Sequence, residues 1–189
     1  MNFDFDEKRV IQKELLLGER VIWQGAPCRS KVVNKADIFL IPFSIFWAGF
    51  VLVWTITATL SAGSFGLVGI PFLIMGGYLT FGRFIVKNRM KRSTIYAITN
   101  MRILVARTNG KNFSSMDINA IPNASISHDK NGIGTIVFGT VPAWSTMYLN
   151  TGMDFFGGSG QPGVVAFIDI EDSQKVFDIY KRTKYQQHA

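Results

Sequence analysis

Cysteine is nearly absent: Cys28 stands alone among 189 residues. No intrachain disulfide and no cysteine-based metal cluster can form from it, and a thiol that is buried or lies near lipid is the expectation. Histidine is almost as scarce, and no spacing of His, Asp and Glu matches a metal-binding motif. Neither a metal nor another cofactor is therefore expected. Ser127-His128-Asp129 is the one place where catalytic residue types meet. Neighbours on a strand point to opposite faces, so adjacency does not make them a triad. A surface or strand-pairing role is expected for them, an inert terminal role for His188, and no enzymatic activity. Gly157-Gly158-Ser159-Gly160 has the composition of a phosphate loop. It lacks the Lys-Ser/Thr ending and a following helix, and reads as a loop.

Charge is missing from two long stretches. Ile38–Leu60 and Phe65–Gly82 carry no formal charge, and only Ser61-Ala62-Gly63-Ser64 separates them. The first run has 23 residues, 13 of them Ile, Leu, Val or Phe. As a helix it would span about 34 Å, slightly more than the hydrocarbon core of a bilayer. Its aliphatic and Phe residues favour insertion by about 5 kcal/mol before Pro, Ser and Thr are deducted. The second run is weakened by Gly66, Gly69, Gly76, Gly77 and Pro71. It becomes long enough if the helix continues through Phe84-Ile85-Val86 and Arg83 snorkels. The connector permits only an antiparallel return, so a membrane hairpin with helices over about 38–60 and 65–86 is predicted. Glycines in both runs would let the backbones approach closely.

Orientation follows from the flanking charge. Arg29, Lys31 and Lys35 precede the first run; Arg83, Lys87, Arg89, Lys91 and Arg92 close the second; the connector has none. The positive-inside rule then places both ends of the chain in the cytoplasm. Much of the net charge of +7 lies in these flanks. That favours an anionic lipid surface over nucleic acid, whose binders more often carry a basic stripe with aromatics on a folded domain. These basic residues set topology, and they are also the candidates for contact with lipid headgroups. The first 35 residues contain Asp4, Asp6, Glu7, Glu14 and Glu19 before any apolar run. They do not read as a signal peptide, and no cleavage is expected.

The remainder is patterned as a small domain. Residues 1–35 suggest a helix over Asp6–Leu16 with Val10, Ile11 and Leu15 on one side, then a strand over Arg20–Gln24 ended by Gly25-Ala26-Pro27. Residues 36–87 are the hairpin. Residues 88–189 read as strands over Thr94–Thr99, Arg102–Arg107, Phe113–Ile118, Ala124–Asp129, Thr135–Phe138 and Val164–Ile170, with turns at Asn100-Met101, Asn109-Gly110, Pro122-Asn123 and Asn131-Gly132. Asp172 or Ser173 caps a final helix whose face is Val176, Phe177, Ile179 and Tyr180. This is an antiparallel meander closed by a helix, an α+β module on a membrane anchor. Between the last two strands, Gly139–Gly163 is long and irregular yet holds Trp144, Met147, Tyr148, Leu149, Met153, Phe155 and Phe156. So many large apolar groups argue against simple disorder. The stretch is a candidate for docking on the bilayer or a neighbouring subunit, or it covers an open barrel edge.

Several segments in this order resemble one family. They are L-x-G-E-x-V-x-W-x-G-x-P at Leu16–Pro27, I-P-F-S-x-x-W-x-G-F at Ile41–Phe50 and G-I-P-F-x-x-x-G-x-Y-x-x-F-G-R-F at Gly69–Phe84. Y-x-I-T-N-x-R-I-L follows at Tyr96–Leu104, then F-I-D-I-x-D-x-x-x-V-F-D-I-Y at Phe167–Tyr180. Together they are similar to bacterial membrane proteins with a pleckstrin-homology-like (PH-like) domain and a two-helix transmembrane hairpin. The resemblance implies a partly open seven-stranded β-barrel capped by the C-terminal helix, at the bacterial inner membrane. Such domains bind lipids, peptides, proteins or themselves, and the resemblance carries over no activity. The expected function is a non-enzymatic binding or assembly module that recruits a protein partner or self-associates, supported by anionic lipid contact. The alternative is an oligomeric two-helix pore or a transport accessory subunit.

Overall fold

The computed structural model describes residues 10–30, 35–108, 113–129, 131–140 and 165–186. Helical structure runs without a break from Lys35 to Ser93, and 57 residues of it, Asp37–Ser93, form the candidate span. Its first part, α1, is Lys35–Ala62. A 3-10 turn over Gly63–Val68 makes the return, so the second leg becomes α-helical a few residues later than the expected 65, and the positive φ of Gly63 (+56°) starts the reversal. The chain returns through α2, Gly69–Gly77, a π turn over Tyr78–Gly82, and α3, Arg83–Ser93.

The return is antiparallel, and its seam is made of small residues. Gly66 faces Thr59 and Gly69 faces Thr55, so closely that a Cβ at either glycine would land on the threonine hydroxyl. A Cβ at Gly76 would lie 3.4 Å from that of Ala48. Further down, the Thr80 hydroxyl reaches the Ser44 carbonyl at 3.5 Å. Close backbone approach is what glycine permits between helices that bury little else. Hydroxyls along α1 are satisfied within the helix: Thr55, Thr57 and Thr59 donate to the carbonyls four residues back. The outward faces are apolar and uncovered, with Phe39, Phe46, Leu60, Ile74, Phe81 and Ile85 all exposed. The stretch is long and apolar enough to cross a membrane, and only 11 % of its most apolar window is buried within the protein.

Seven strands are described, in two antiparallel sheets of four and three. The first sheet joins β1 (Val21–Gly25), β2 (Thr94–Thr99), β3 (Arg102–Arg107) and β4 (Phe113–Asp117) in that order. The second joins β5 (Ala124–His128), β6 (Gly134–Phe138) and β7 (Val165–Ile170). The helix α4, Ser173–Gln186, follows. Strand spans agree with the sequence pattern to within a residue or so at each end. The main core lies between the sheets and α4, and includes Tyr96, Ile98, Ile103, Ile136, Phe138, Phe167, Val176, Phe177 and Tyr180. Phe167 is its aromatic centre, stacked on Tyr96 at 4.6 Å and edge-on to Phe138 at 5.1 Å. A second cluster on the opposite face of the first sheet packs Ile11 against Ile95, Ala97, Leu104 and Ala106. That is the use of the apolar side predicted for the N-terminal helix, of which the described residues include Val10–Lys13.

Where the resemblance implies a partly open seven-stranded barrel, the described strands form two antiparallel sheets and not a closed barrel. The reason lies at the corner after β4. There Asn119 N–H bonds the Asp117 carboxylate at 2.7 Å and Ala120 N–H bonds its carbonyl at 3.1 Å. This tight turn drops Ile118 and Ile121 into the main core, so the chain leaves β4 before it can pair with β5. Hydrogen bonds also join the sheets: the Ile168 N–H of β7 donates to the Tyr96 hydroxyl of β2 at 3.1 Å. Cys28, just past β1, donates its N–H to the Asp169 carbonyl in β7 at 2.6 Å. The cap of α4 also differs in detail. Ser173 starts the helix, but its hydroxyl donates to the Gly132 carbonyl at 3.0 Å, which ties the helix start to the β5–β6 turn. The Asn109-Gly110 turn lies outside the described residues.

Candidate functional site

The C-terminal leg of the hairpin runs directly from α3 into β2, with no linker between Ser93 and Thr94. Along α3, Arg83, Lys87 and Lys91 recur every fourth residue and so share one face. That face is turned inward: their residues are 1 %, 3 % and 6 % exposed. Three of the basic residues read as headgroup candidates thus lie in the interior. The cause is carboxylates that meet them. Asp37, fully buried in the first turn of α1, receives Arg83 Nη1 at 2.7 Å on Oδ1 and Lys87 Nζ at 3.3 Å on Oδ2. A carboxylate near a helix start also gains from the helix dipole. One turn further, Lys91 Nζ meets Asp169 Oδ2 at 2.5 Å and the Cys28 carbonyl at 3.4 Å.

Asp169 is itself unusual. It sits within β7 with φ +48°, the left-handed region, where the ladder to β6 shifts register. Asp tolerates this conformation better than most residues. Here it frees the side chain to reach Lys91, while the backbone accepts from Cys28. Charge on α3 therefore links the base of the hairpin to the second sheet, and the covalent α3–β2 passage links it to the first. Breaking such a buried pair by removing one partner is costly, about 3–5 kcal/mol.

Arg83 has a further feature. Its guanidinium stacks beside the Phe84 ring, with Cζ 4.5 Å from the centroid. Its Nε and Nη2 are buried and have no hydrogen-bond acceptor.

The other candidates are placed as follows. Arg29, Arg89 and Arg92 are exposed, and Arg92 Nε bonds Asn88 Oδ1 at 3.3 Å. Lys35 begins α1, but its side chain and Lys31 lie outside the described residues. So do Trp144, Met147, Tyr148, Phe155 and Phe156, and the Gly157–Gly160 stretch. His128 is exposed on β5 and Cys28 is buried, its Sγ 3.0 Å from Ser30 Oγ. Among the described residues no group of His, Cys, Asp and Glu could hold a metal ion.

A second polar hub lies at the opposite end of the first sheet. Glu19 accepts from Arg102 Nε at 2.9 Å, Arg102 Nη2 at 3.0 Å, Thr99 Oγ1 at 2.7 Å and the Leu16 N–H at 2.7 Å. Burial alone would raise its pKa. The bonds from Arg102, Leu16 and Thr99, with the Arg102 charge, outweigh that and hold it below the usual glutamate range. The hub fixes the Leu16–Glu19 turn, where Gly18 has φ +80° and Leu16 and Leu17 project into solvent.

Reading the chain for isolated charges missed Asp37, Asp169 and Glu19. Two signals could have found them: the four-residue spacing of Arg83, Lys87 and Lys91, and a single carboxylate placed just before an uncharged run. Comparison with protein-family models, curated proteins and solved structures gives no match to this chain.

Proposed function

We propose that the chain is a membrane-anchored, non-enzymatic binding or assembly module. Its hairpin crosses the bilayer, and its sheet domain stands on the cytoplasmic face of a bacterial inner membrane. The observation that carries this reading is the apolar outer surface of the hairpin, where Phe39, Phe46, Leu60, Ile74, Phe81 and Ile85 face outward. Soluble monomers rarely expose contiguous apolar patches beyond about 300–600 Å², and lipid is the solvent such a surface requires. The basic flanks argue for cytoplasmic termini. Exposed Arg29, Arg89 and Arg92 are the residues best placed for anionic headgroups, each adding about 1 kcal/mol near such a surface.

The domain recruits a protein partner or a second copy of itself. Its arrangement supports that reading over chemistry, because the polar residues brought together serve the joint between hairpin and sheets. The order of segments from Leu16 to Tyr180 fits the PH-like membrane proteins that the chain resembles. The test has two parts. The full chain should float with liposomes and resist carbonate extraction. Crosslinking in intact membranes should then return one recurrent partner, or the chain itself. Release into the aqueous phase would sink the membrane reading. Ion conductance by the reconstituted chain, with no recurrent crosslink, would sink the module reading in favour of a pore.

A further inference from the structure

The exposed side of α3 changes character once. Phe81 and Ile85, four residues apart, continue the apolar outer surface of the hairpin, and Val86 extends it. Asn88, Arg89 and Arg92 follow, exposed and polar. On α1, Ile38 and Phe39 are exposed and apolar directly after the buried Asp37. Apolar surface therefore surrounds the cluster of Asp37, Arg83 and Lys87, and the first exposed charge of α3, Arg89, lies beyond it.

Length along the helices agrees. Trp54 is partly exposed and edge-on to Phe65 at 6.1 Å, and exposed Thr57, Thr59 and Ser61 follow it. Tryptophan at such a transition marks a membrane–water interface. Asp37 lies 17 residues before Trp54, about 26 Å of helix against a hydrocarbon core of about 30 Å. The opposite boundary then falls about 4 Å beyond Asp37. Gly76 faces Ala48 and Thr80 reaches Ser44. The same antiparallel step sets Arg83 opposite Ile41 and Lys87 opposite Asp37. Arg83 thus leaves its helix about 10 Å inside that boundary. Its side chain runs toward the boundary and ends on the Asp37 carboxylate instead of in water.

We propose that the lipid-covered surface of the hairpin extends to Val86, so that Asp37, Arg83 and Lys87 form a charge cluster beneath the hydrocarbon boundary. The belt of Ile38, Phe39, Ile85 and Val86 around that cluster is covered by acyl chains of the cytoplasmic leaflet. Two observations select this occupant. The belt is continuous with the apolar outer surface above it, and exposed Arg89 and Arg92 just past it complement anionic headgroups. The proposal rests on the membrane reading above. An unpaired charge at this depth is costly, and pairing inside the protein is what permits one there. The remainder of α3, from Asn88 to Ser93, then crosses the headgroup layer and delivers β2 at its outer edge.

The experiment uses the full-length chain with Cys28→Ser, one chain per nanodisc of phosphatidylglycerol and phosphatidylcholine. Single cysteines are introduced as Phe39→Cys, Ile85→Cys and, for reference, Leu17→Cys, whose position is fully exposed on the sheet domain. A membrane-impermeant maleimide should label Leu17→Cys readily. Phe39→Cys and Ile85→Cys should react slower by about tenfold or more, because a thiol in apolar surroundings ionises less. All three should react alike once unfolded in dodecyl sulfate. One chain per disc removes cover by a second copy as the cause of protection. Labelling of Phe39→Cys or Ile85→Cys at the reference rate in folded discs would overturn the proposal. Both positions are on the surface, and if one variant fails to fold the other decides. Liposome flotation of the wild-type chain separates the failures. A chain that floats while Ile85→Cys labels freely retains the membrane reading and loses this one, and a chain that does not float loses both.

Discussion

Replacing Asp37 by Asn gives the sharpest test of the joint between hairpin and sheets. Asp37 is fully buried and meets two cations, Arg83 at 2.7 Å and Lys87 at 3.3 Å, themselves nearly fully enclosed. Asn keeps the shape and one acceptor oxygen but removes the charge. Loss of one partner from a buried pair costs about 3–5 kcal/mol, since the remaining charge has neither water nor counter-charge. The retained acceptor places Asp37→Asn near the lower figure, about 3 kcal/mol. For a chain of this size that lowers the melting temperature by about 6–12 °C. The assay is thermal unfolding of the full chain in detergent, followed by tryptophan fluorescence, because Trp23 stacks on Phe167 in the main core at 5.7 Å. Adding Arg83→Met to Asp37→Asn should recover part of the loss, since it removes one stranded charge. A melting temperature within about 1 °C of wild type would refute the reasoning: the charges would then be hydrated and the cluster not an interior one. Failure of the double variant to recover anything would show that the cost lies in helix packing.

Three further outcomes follow from the same geometry. The depressed pKa of Glu19 means that the folded chain binds this proton more weakly than the unfolded chain. Its stabilisation is therefore complete above the unfolded glutamate pKa of about 4.3 and is lost as pH falls through the lower folded value. An acid titration of stability should show that loss, and Glu19→Gln should flatten it while costing about 1.5–3 kcal/mol at neutral pH. At the hairpin seam, Gly69→Leu should push the helices apart at Thr55 and cost about 1–3 kcal/mol. Gly77→Ala, with open space around it, should gain up to about 1 kcal/mol from helix propensity; cysteine crosslinks between α1 and α2 would report both. Asp169→Asn keeps a side chain that tolerates positive φ but strands Lys91, so amide exchange at Ile168 and Ile170 should quicken while exchange in β3 stays slow.

Much of the architecture was legible because it rests on local pattern. The uncharged runs announce two long apolar helical legs, and the short connector between them announces the return. Alternation bounded by Asn100-Met101 and Asn131-Gly132 places the strands, and the positive φ of Gly132 (+76°) is what such a turn requires. The face of α4 is readable for the same reason: Val176, Phe177 and Tyr180 fall on one side of a 3.6-residue period and all are buried. Counting charges failed where burial decides their role. Arg83, Lys87 and Arg89 look alike in the chain, yet two are interior and one is exposed. The π turn over Tyr78–Gly82 and the register shift at Asp169 have no local signature either.

Periodicity, apolar length and turn residues are properties of neighbours along the chain, so the amino-acid sequence alone determined the hairpin, the strands and the closing helix. Tertiary structure decided that the strands stack as two sheets, because Ile118 and Ile121 fold inward at the corner between β4 and β5. It also decided that Asp37 and Asp169 sequester the cations of α3. Both outcomes depend on groups separated by tens of residues that meet only when the chain packs, and the energy of a charge is set by what surrounds it in space.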